Sequence, residues 1–227
     1  MWVLGLAAAS AAGAAEAGPW AQSPGHIYAR AVASSERLNQ SDGWRGDLYA
    51  EYGIKAHWSL SAKMEAVRYE GRGYADRESY RIGLRRQLWT NRSGWSLGAE
   101  LAAVNGSAVA GLRGCEGWGG EVRLSAGRSW LRRNRPAHFF ADVASISQED
   151  GCERQRLDLG YGTDLSERVF TTQQLWIENG NLTADSVKMD SQVGYHFRAF
   201  DLSLGYRQEL GGAFDEQAYL VALTVRR

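Results

Sequence analysis

The chain has 227 residues, and its 26 lysines and arginines are matched by 26 aspartates and glutamates, so no net field exists to gather nucleic acid, and nucleic-acid binding is set aside. Nine Trp, ten Tyr and 27 Gly beside three Pro and two Cys make a composition more usual in β-barrels than in helical bundles. After the N-terminal run no stretch approaches the roughly 20 apolar residues a spanning helix needs, so only strands could carry this chain across a membrane.

The chain opens on an alanine-rich apolar run that closes at Ala15-Glu16-Ala17, a small-x-small triplet of the kind signal peptidase accepts, here before Gly18. Residues 1-17 are therefore expected to be a cleaved signal peptide, 18-25 a short N-terminal segment and 26-227 the folded domain. The usual basic region before the apolar run is missing, and no Cys follows it to receive a lipid anchor.

From there the apolar residues recur with period two, the signature of strands with two unlike faces. Two runs, Ile27 to Ala33 and Val169 to Ile177, are less regular. Leu48, Ala50, Tyr52 and Ile54 alternate with Asp47, Tyr49, Glu51 and Lys55; Trp58, Leu60, Ala62 and Met64 alternate with Ser59, Ser61, Lys63 and Glu65. Leu60, Met64 and Val67 would also fit one stripe of a helix, but the neighbouring runs decide for strands. Tyr80, Ile82 and Leu84 oppose Arg81 and Arg85; Leu97, Ala99 and Leu101 oppose Glu100; Val122 and Leu124 oppose Glu121 and Arg123. Ala141 and Val143 oppose Asp142, Leu157 and Leu159 oppose Asp158, Met189 and Val193 oppose Asp190, and Leu202 and Leu204 oppose Ser203. The last run, Gln217 to Val225, is apolar on both faces. The pattern predicts an all-β fold, a closed antiparallel up-and-down transmembrane barrel of about twelve strands of about ten residues, the length that crosses a bilayer at a barrel's tilt.

A soluble sandwich also has one apolar face, turned inward. Here that face holds many alanines, too small to fill a sandwich core to native density, while the other mixes acids and bases that could pair across a polar lumen. The residues expected to line the lumen are Glu51, Lys63, Glu65, Arg81, Arg85, Glu100, Glu121, Arg123, Asp158 and Asp190. Trp58, Trp95 and Trp130 fall beside one set of connections and Trp44 and Trp118 beside the other, as interfacial aromatic girdles require; Trp89 and Trp176 fall on polar rows. Arg86 and Arg128 lie on apolar rows near strand ends, where long side chains reach the interface. Connections after even strands are short. Those after odd strands are expected to be mostly longer (residues 34–43, 71–77, 105–116, 147–154 and 180–185), which makes the first set periplasmic and the second external.

With these features the sequence resembles a small outer-membrane β-barrel of Gram-negative bacteria. The units EYGIKAHWSLSAKMEAVRYEG and RQLWTNRSGWSLGAELA are similar to strand-turn-strand units of outer-membrane transporter proteins linked with aromatic-compound pathways. The chain departs from the usual C-terminal aromatic assembly signal, closing on Val225-Arg226-Arg227. The resemblance implies outer-membrane lipid, lipopolysaccharide and the barrel assembly machinery as partners, and small solutes as cargo.

Cys115 and Cys152 fall in neighbouring external connections, where an exported protein would join them in a disulfide. No metal or cofactor is expected, since no third Cys or His lies near them at ligand spacing. His26, His57, His138 and His196 all map to the periplasmic end, away from the external rim where a barrel hydrolase would hold a catalytic His; no catalytic residues are assigned. A cluster of His26, His138 and His196 is the one metal-binding or proton-sensing arrangement conceivable. Gly119-Gly120 and Gly160-Tyr161-Gly162 precede no helix that could cap a phosphate, so they read as strand glycines. The primary functional expectation is a passive pore or transporter-like barrel for small solutes. A non-conducting structural or surface-interaction barrel is the alternative, and an outer-membrane lipid or peptide hydrolase a third.

Overall fold

The computed structural model describes residues 18–71, 76–107, 115–182, 185–212 and 214–227, and the expected signal peptide lies outside the described residues. Twelve strands follow in order: β1 (Ile27–Leu38), β2 (Ser41–Lys55), β3 (Trp58–Tyr69), β4 (Arg77–Thr90), β5 (Trp95–Gly106), β6 (Trp118–Arg132), β7 (Arg135–Gln148), β8 (Glu153–Asp164), β9 (Val169–Gly180), β10 (Ser186–His196), β11 (Asp201–Gly212) and β12 (Glu216–Arg226). Each pairs antiparallel with the next, and β1 pairs with β12 from Tyr28↔Arg226 to Leu38↔Glu216, so the sheet closes without a free edge. Closure is what allows strands to stand in hydrocarbon, because every ladder donor and acceptor finds a partner within the protein.

On most strands the two rows separate into an exposed and a buried face, least clearly on β9 and β10. Ile82, Leu101, Leu124, Leu204 and Tyr219 point outward and are 62, 64, 60, 63 and 72% exposed. Glu216, Asp142, Glu36 and Arg85 point inward and are 0, 1, 2 and 3% exposed. Leaving a Leu, Val or Ile side chain in water forgoes roughly 1.5–3 kcal/mol each, so a surface built of such rows is stable only against lipid. The water-soluble sandwich is thereby overturned. Near mid-height on the outer face, Gln173 of β9 and Ser191 of β10 are directly opposite and bond to each other at 2.5 Å, which satisfies two polar groups that lipid could not.

Inward glycines and aromatics form cross-strand pairs. Phe140 lies opposite Gly160, His138 opposite Gly162 and Phe170 opposite Gly194. Each ring covers its glycine so closely that a Cβ there would sit 2.1–2.3 Å from ring carbon. A large side chain on one strand thus occupies space its neighbour leaves free, which pins the register.

One expected connection is corrected. Residues 34–43 are not a long external loop: β1 and β2 continue to a two-residue turn at Asn39-Gln40, both with positive φ (45° and 76°), as a tight hairpin requires. The strands extend because their inward row continues, with Glu36 bonded to Arg45 at 2.6 Å. The length asymmetry therefore rests mainly on the β3–β4 and β5–β6 connections.

The balanced total charge conceals two opposite rims. Among the described residues the short-turn end exposes Lys55, Arg92, Arg132, Arg133, Arg168 and Arg198 against Glu167; the other exposes Glu70, Glu116, Glu149, Asp150, Asp185 and Asp215 against Arg37. At the short-turn end Arg86 stands over Trp58 (5.0 Å) and Arg128 over Trp95 and Trp130 (5.9 and 6.0 Å), so these bases on apolar rows rest on girdle rings.

Cys115 and Cys152 are joined, with Cα atoms 5.1 Å apart. The same corner is tied by Gln148, whose Nε2 donates to the Gly117 carbonyl (2.7 Å), and by Asp150, which accepts from the Glu116 amide (2.8 Å). Across a separation of 37 residues, the cross-link limits the unfolded chain by up to about 4 kcal/mol in the chain-entropy view. Cys115→Ser/Cys152→Ser is expected to assemble, because the ladder does not depend on it, but to lose its folded gel mobility at a lower temperature than the oxidised parent; an unchanged transition would show that the bond adds nothing.

Candidate functional site in the barrel lumen

The inward rows build two charged networks, and antiparallel register explains the first. Arg85 is directly opposite Glu100, and Glu100 opposite Arg123, so acids and bases on adjacent strands meet at one height. Arg85 bridges Glu51 (3.0 Å) and Glu100 (2.9 Å); Arg81 bridges Glu100 (2.9 Å) and Glu121 (3.0 Å). Arg123 then bridges Glu121 (2.8 Å) and Asp158 (2.9 Å), and Arg156 closes on Asp158 at 2.5 Å. The result is an unbroken relay of alternating carboxylates and guanidiniums across β2, β4, β5, β6 and β8. Seven of the ten residues expected to line the lumen are in it.

The second network lies between β1, β2, β3, β10, β11 and β12. Glu36 accepts from Arg45, from Arg207 and from the Tyr69 hydroxyl (3.0 Å); Glu216 accepts from Arg207 (3.0 Å) and Lys188. Lys63 stands 3.3 Å from Asp47 and 3.4 Å from Glu65. Asp190 lies directly opposite Arg207 across the β10–β11 ladder and accepts from Gln192 at 2.8 Å, while Gln192 in turn accepts from Arg30 (3.1 Å) and Ser203 (2.8 Å). Trp176 joins the two networks: Arg156 stands 5.8 Å from its ring centre and Arg207 5.9 Å.

Sequence reasoning missed Glu36 and Glu216. The first falls within residues 34–43, expected as a loop, and the second lies one residue before a run that is apolar on both faces. The signal was present, since Ser34, Glu36 and Leu38 continue the inward row of β1 at period two.

These side chains surround a cavity of about 190 Å³ that every strand helps to line, from Arg30 on β1 to Leu220 on β12. A second cavity of about 150 Å³ opens at the short-turn end, bordered by Pro136, His138, Thr163, Asp164, Phe170, Thr172, His196 and Arg226. It occupies only one side of that mouth. The other side is filled by residues 18–26, of which 18–25 are the short N-terminal segment expected from the sequence. Gly25 donates to the Gly53 carbonyl (2.8 Å), Gly53 to the His26 carbonyl (3.0 Å), Gln22 to the Ser59 hydroxyl (2.8 Å) and Gly18 to Asp142 (3.0 Å). Trp20 meets the His138 ring edge-on at 6.0 Å. The wall makes room for this segment with small residues: a Cβ on Gly98 would lie 2.9 Å from the Pro19 Cα.

The four histidines do lie at the short-turn end. Two of the conceived trio, His138 and His196, share the smaller cavity, and His26 is not on its border. His196 instead bonds Asp201 through Nδ1 (2.7 Å) and approaches Asp164 through Nε2 (3.4 Å), with Phe170 stacked on its ring at 4.6 Å. Among the described residues no group of three or more His, Cys, Asp or Glu has the arrangement of a metal site.

Arg85→Ala would leave Glu51 and Glu100 buried without their shared cation and is expected to lower stability by ~3–5 kcal/mol. Arg37→Ala, which breaks a pair with Asp42 whose side chains are 66 and 63% exposed, should leave it nearly unchanged. Urea titration of folding into detergent micelles measures both, and equal effects would contradict the relay's burial.

No protein-family model and no curated protein sequence matches the chain. Solved structures do. The KdgM porin superposes with a TM-score of 0.62 at 9% identity, covering 86% of this chain and 98% of the porin. The NanC porin gives 0.62 at 8%, covering 87% and 98%. The COG4313 outer membrane channel from Pseudomonas putida F1 gives 0.60 at 12%, covering 94% and 100%. LpxR from Salmonella typhimurium has the same barrel at a TM-score of 0.55 and 8% identity, covering 88% and 99%. At such identities the likeness establishes the fold alone: a small closed antiparallel β-barrel.

Proposed function

We propose that this protein is a Gram-negative outer-membrane barrel that passes small solutes passively through its lumen. The observation that carries the reading is the pair of cavities, one lined from all twelve strands and one opening beside the N-terminal segment at the opposite mouth. The porin and channel fold supports it, as does a lumen wall on which acids and bases stand together, which favours small polar solutes over strongly charged ones. The residues expected to meet the solute are Lys63, Glu65, Arg81, Glu121, Arg123, Asp158 and Asp190, which border the larger cavity; Glu51, Arg85 and Glu100 do not border it. The finer resemblance, to transporters linked with aromatic-compound pathways, makes a small aromatic solute the first to test, and Trp176 between two guanidiniums offers a surface for one. The outward rows take lipid as their partner, lipopolysaccharide in the outer leaflet, and insertion falls to the barrel assembly machinery. The histidines at the short-turn mouth support a non-enzymatic role.

A second reading, a non-conducting structural barrel, is favoured by the same ion-pair relay and by the filled half of the inner mouth. Single-channel recording of refolded protein in planar bilayers separates the two. The pore reading expects small discrete current steps in the parent and larger ones in Trp20→Ala, which thins the segment in the mouth. Lys63→Glu should move the zero-current potential in a salt gradient toward cation preference. Silence in all three proteins would leave the structural barrel.

A further inference from the structure

The relay of ion pairs is internally balanced, each of its carboxylates having a guanidinium of its own. Asp142 of β7 is not in that balance. It is 1% exposed, and it faces Asp158 directly across the β7–β8 ladder. Its ion-pair contact within 4 Å is Arg123 at 3.4 Å, a guanidinium already held at 2.8 Å by Glu121 and 2.9 Å by Asp158, while Arg85 acts on it from farther off and Ser125 faces it across the β6–β7 ladder. Oδ1 of Asp142 has no hydrogen-bond partner among the described residues. Oδ2 accepts from the backbone nitrogen of Gly18 at 3.0 Å. A buried carboxylate with one orphan oxygen and a shared cation calls for another positive donor.

That donor is written in the sequence. Gly18 follows Ala15-Glu16-Ala17, the triplet read above as a cleavage site. We propose that the α-ammonium group of Gly18, created by cleavage after Ala17, is the counter-ion of Asp142 and anchors residues 18–25 in the inner mouth. In the cleavage, water adds across the Ala17–Gly18 peptide bond; the carboxylate leaves on Ala17, and the Gly18 amine takes up a proton at neutral pH. A peptide nitrogen offers Asp142 one hydrogen and no charge, whereas the ammonium offers three hydrogens and a full charge, enough for both oxygens. Processing would thus do more than release the chain: it would make the group that seats the segment. Its neighbours are placed to receive it, since the Gln22 amide is already held by Ser59 and the Gly25 amide by Gly53. The inference rests on export to the outer membrane but not on whether the barrel conducts.

The test is chemical and independent of conductance. Protein purified from outer membranes is first weighed intact, and the inference requires a chain beginning at Gly18. Its α-amine is then reductively methylated at neutral pH and the N-terminal peptide followed by mass spectrometry. Modification should be about tenfold or more slower in the parent than in Asp142→Asn, the ratio a pairing of ordinary strength gives. Should Asp142→Asn fail to fold, a variant with Gly-Ser inserted between Ala17 and Gly18 leaves every barrel residue intact and displaces the amine from its seat; it should be modified at the fast rate. A mature chain that starts elsewhere, or an amine as reactive in the parent as in the variants, would overturn the inference. A silent pore with a protected amine would leave it standing and remove only the transport reading.

Discussion

A guanidinium held between two carboxylates, repeated from strand to strand, is the interaction on which this lumen depends. Burying charge is costly, and it is tolerated here because antiparallel register sets Arg85 against Glu100 and Glu100 against Arg123 at the same height. Inverting the usual protein, with ions inside and leucines outside, is stable only when the wall is closed and lipid covers it. The β1–β12 ladder supplies the closure. Without it the pairs that cross the seam, such as Glu36 with Arg207, would be lost and the inward charges would have no shared enclosure.

The same constraint shapes the route through the molecule. Ion pairs tie the wall to itself and keep arginine side chains from sweeping the lumen freely, so the open space is what packing leaves: a central cavity and a one-sided inner opening. Glycine and serine positions on β2, β3 and β5 leave room for the N-terminal segment, while rings on β7 and β9 cover glycines on β8 and β10 opposite. Selectivity in such a barrel is a property of which side chains remain beside the gap. Trp176, flanked by Arg156 and Arg207, is the aromatic group best placed to matter.

The fold was highly legible. Period two over runs such as Leu48 to Ile54 and Tyr80 to Leu84 fixed strands, and mixed charge on the opposite row separated a lumen from a packed core. Strand ends were less legible: Asn39-Gln40 makes a tight turn without glycine, so the hairpin there carried no strong local sign and a long loop was expected instead. Glu36 and Glu216 are hard to find for the same reason, each lying at the edge of a strand's apolar pattern. That the N-terminal segment 18–25 fills the inner mouth was not legible, because nothing local distinguishes a leader from a plug. Its partners, Gly53, Ser59 and Asp142, are far away along the chain.

By itself the sequence determined the period, hence the strands, the two unlike faces and the need for lipid, since these are local consequences of side-chain order at fixed backbone geometry. It also set both cysteines in adjacent connections. Which acid meets which base was decided only by tertiary structure, because pairing requires register between strands and closure between residues as distant as Glu36 and Arg207. Closure likewise separated the charges into a basic and an acidic rim that a balanced composition concealed. It brought the chain's first described residues into the mouth of the barrel they precede, a meeting that depends on geometry around the whole wall rather than on any short stretch of sequence.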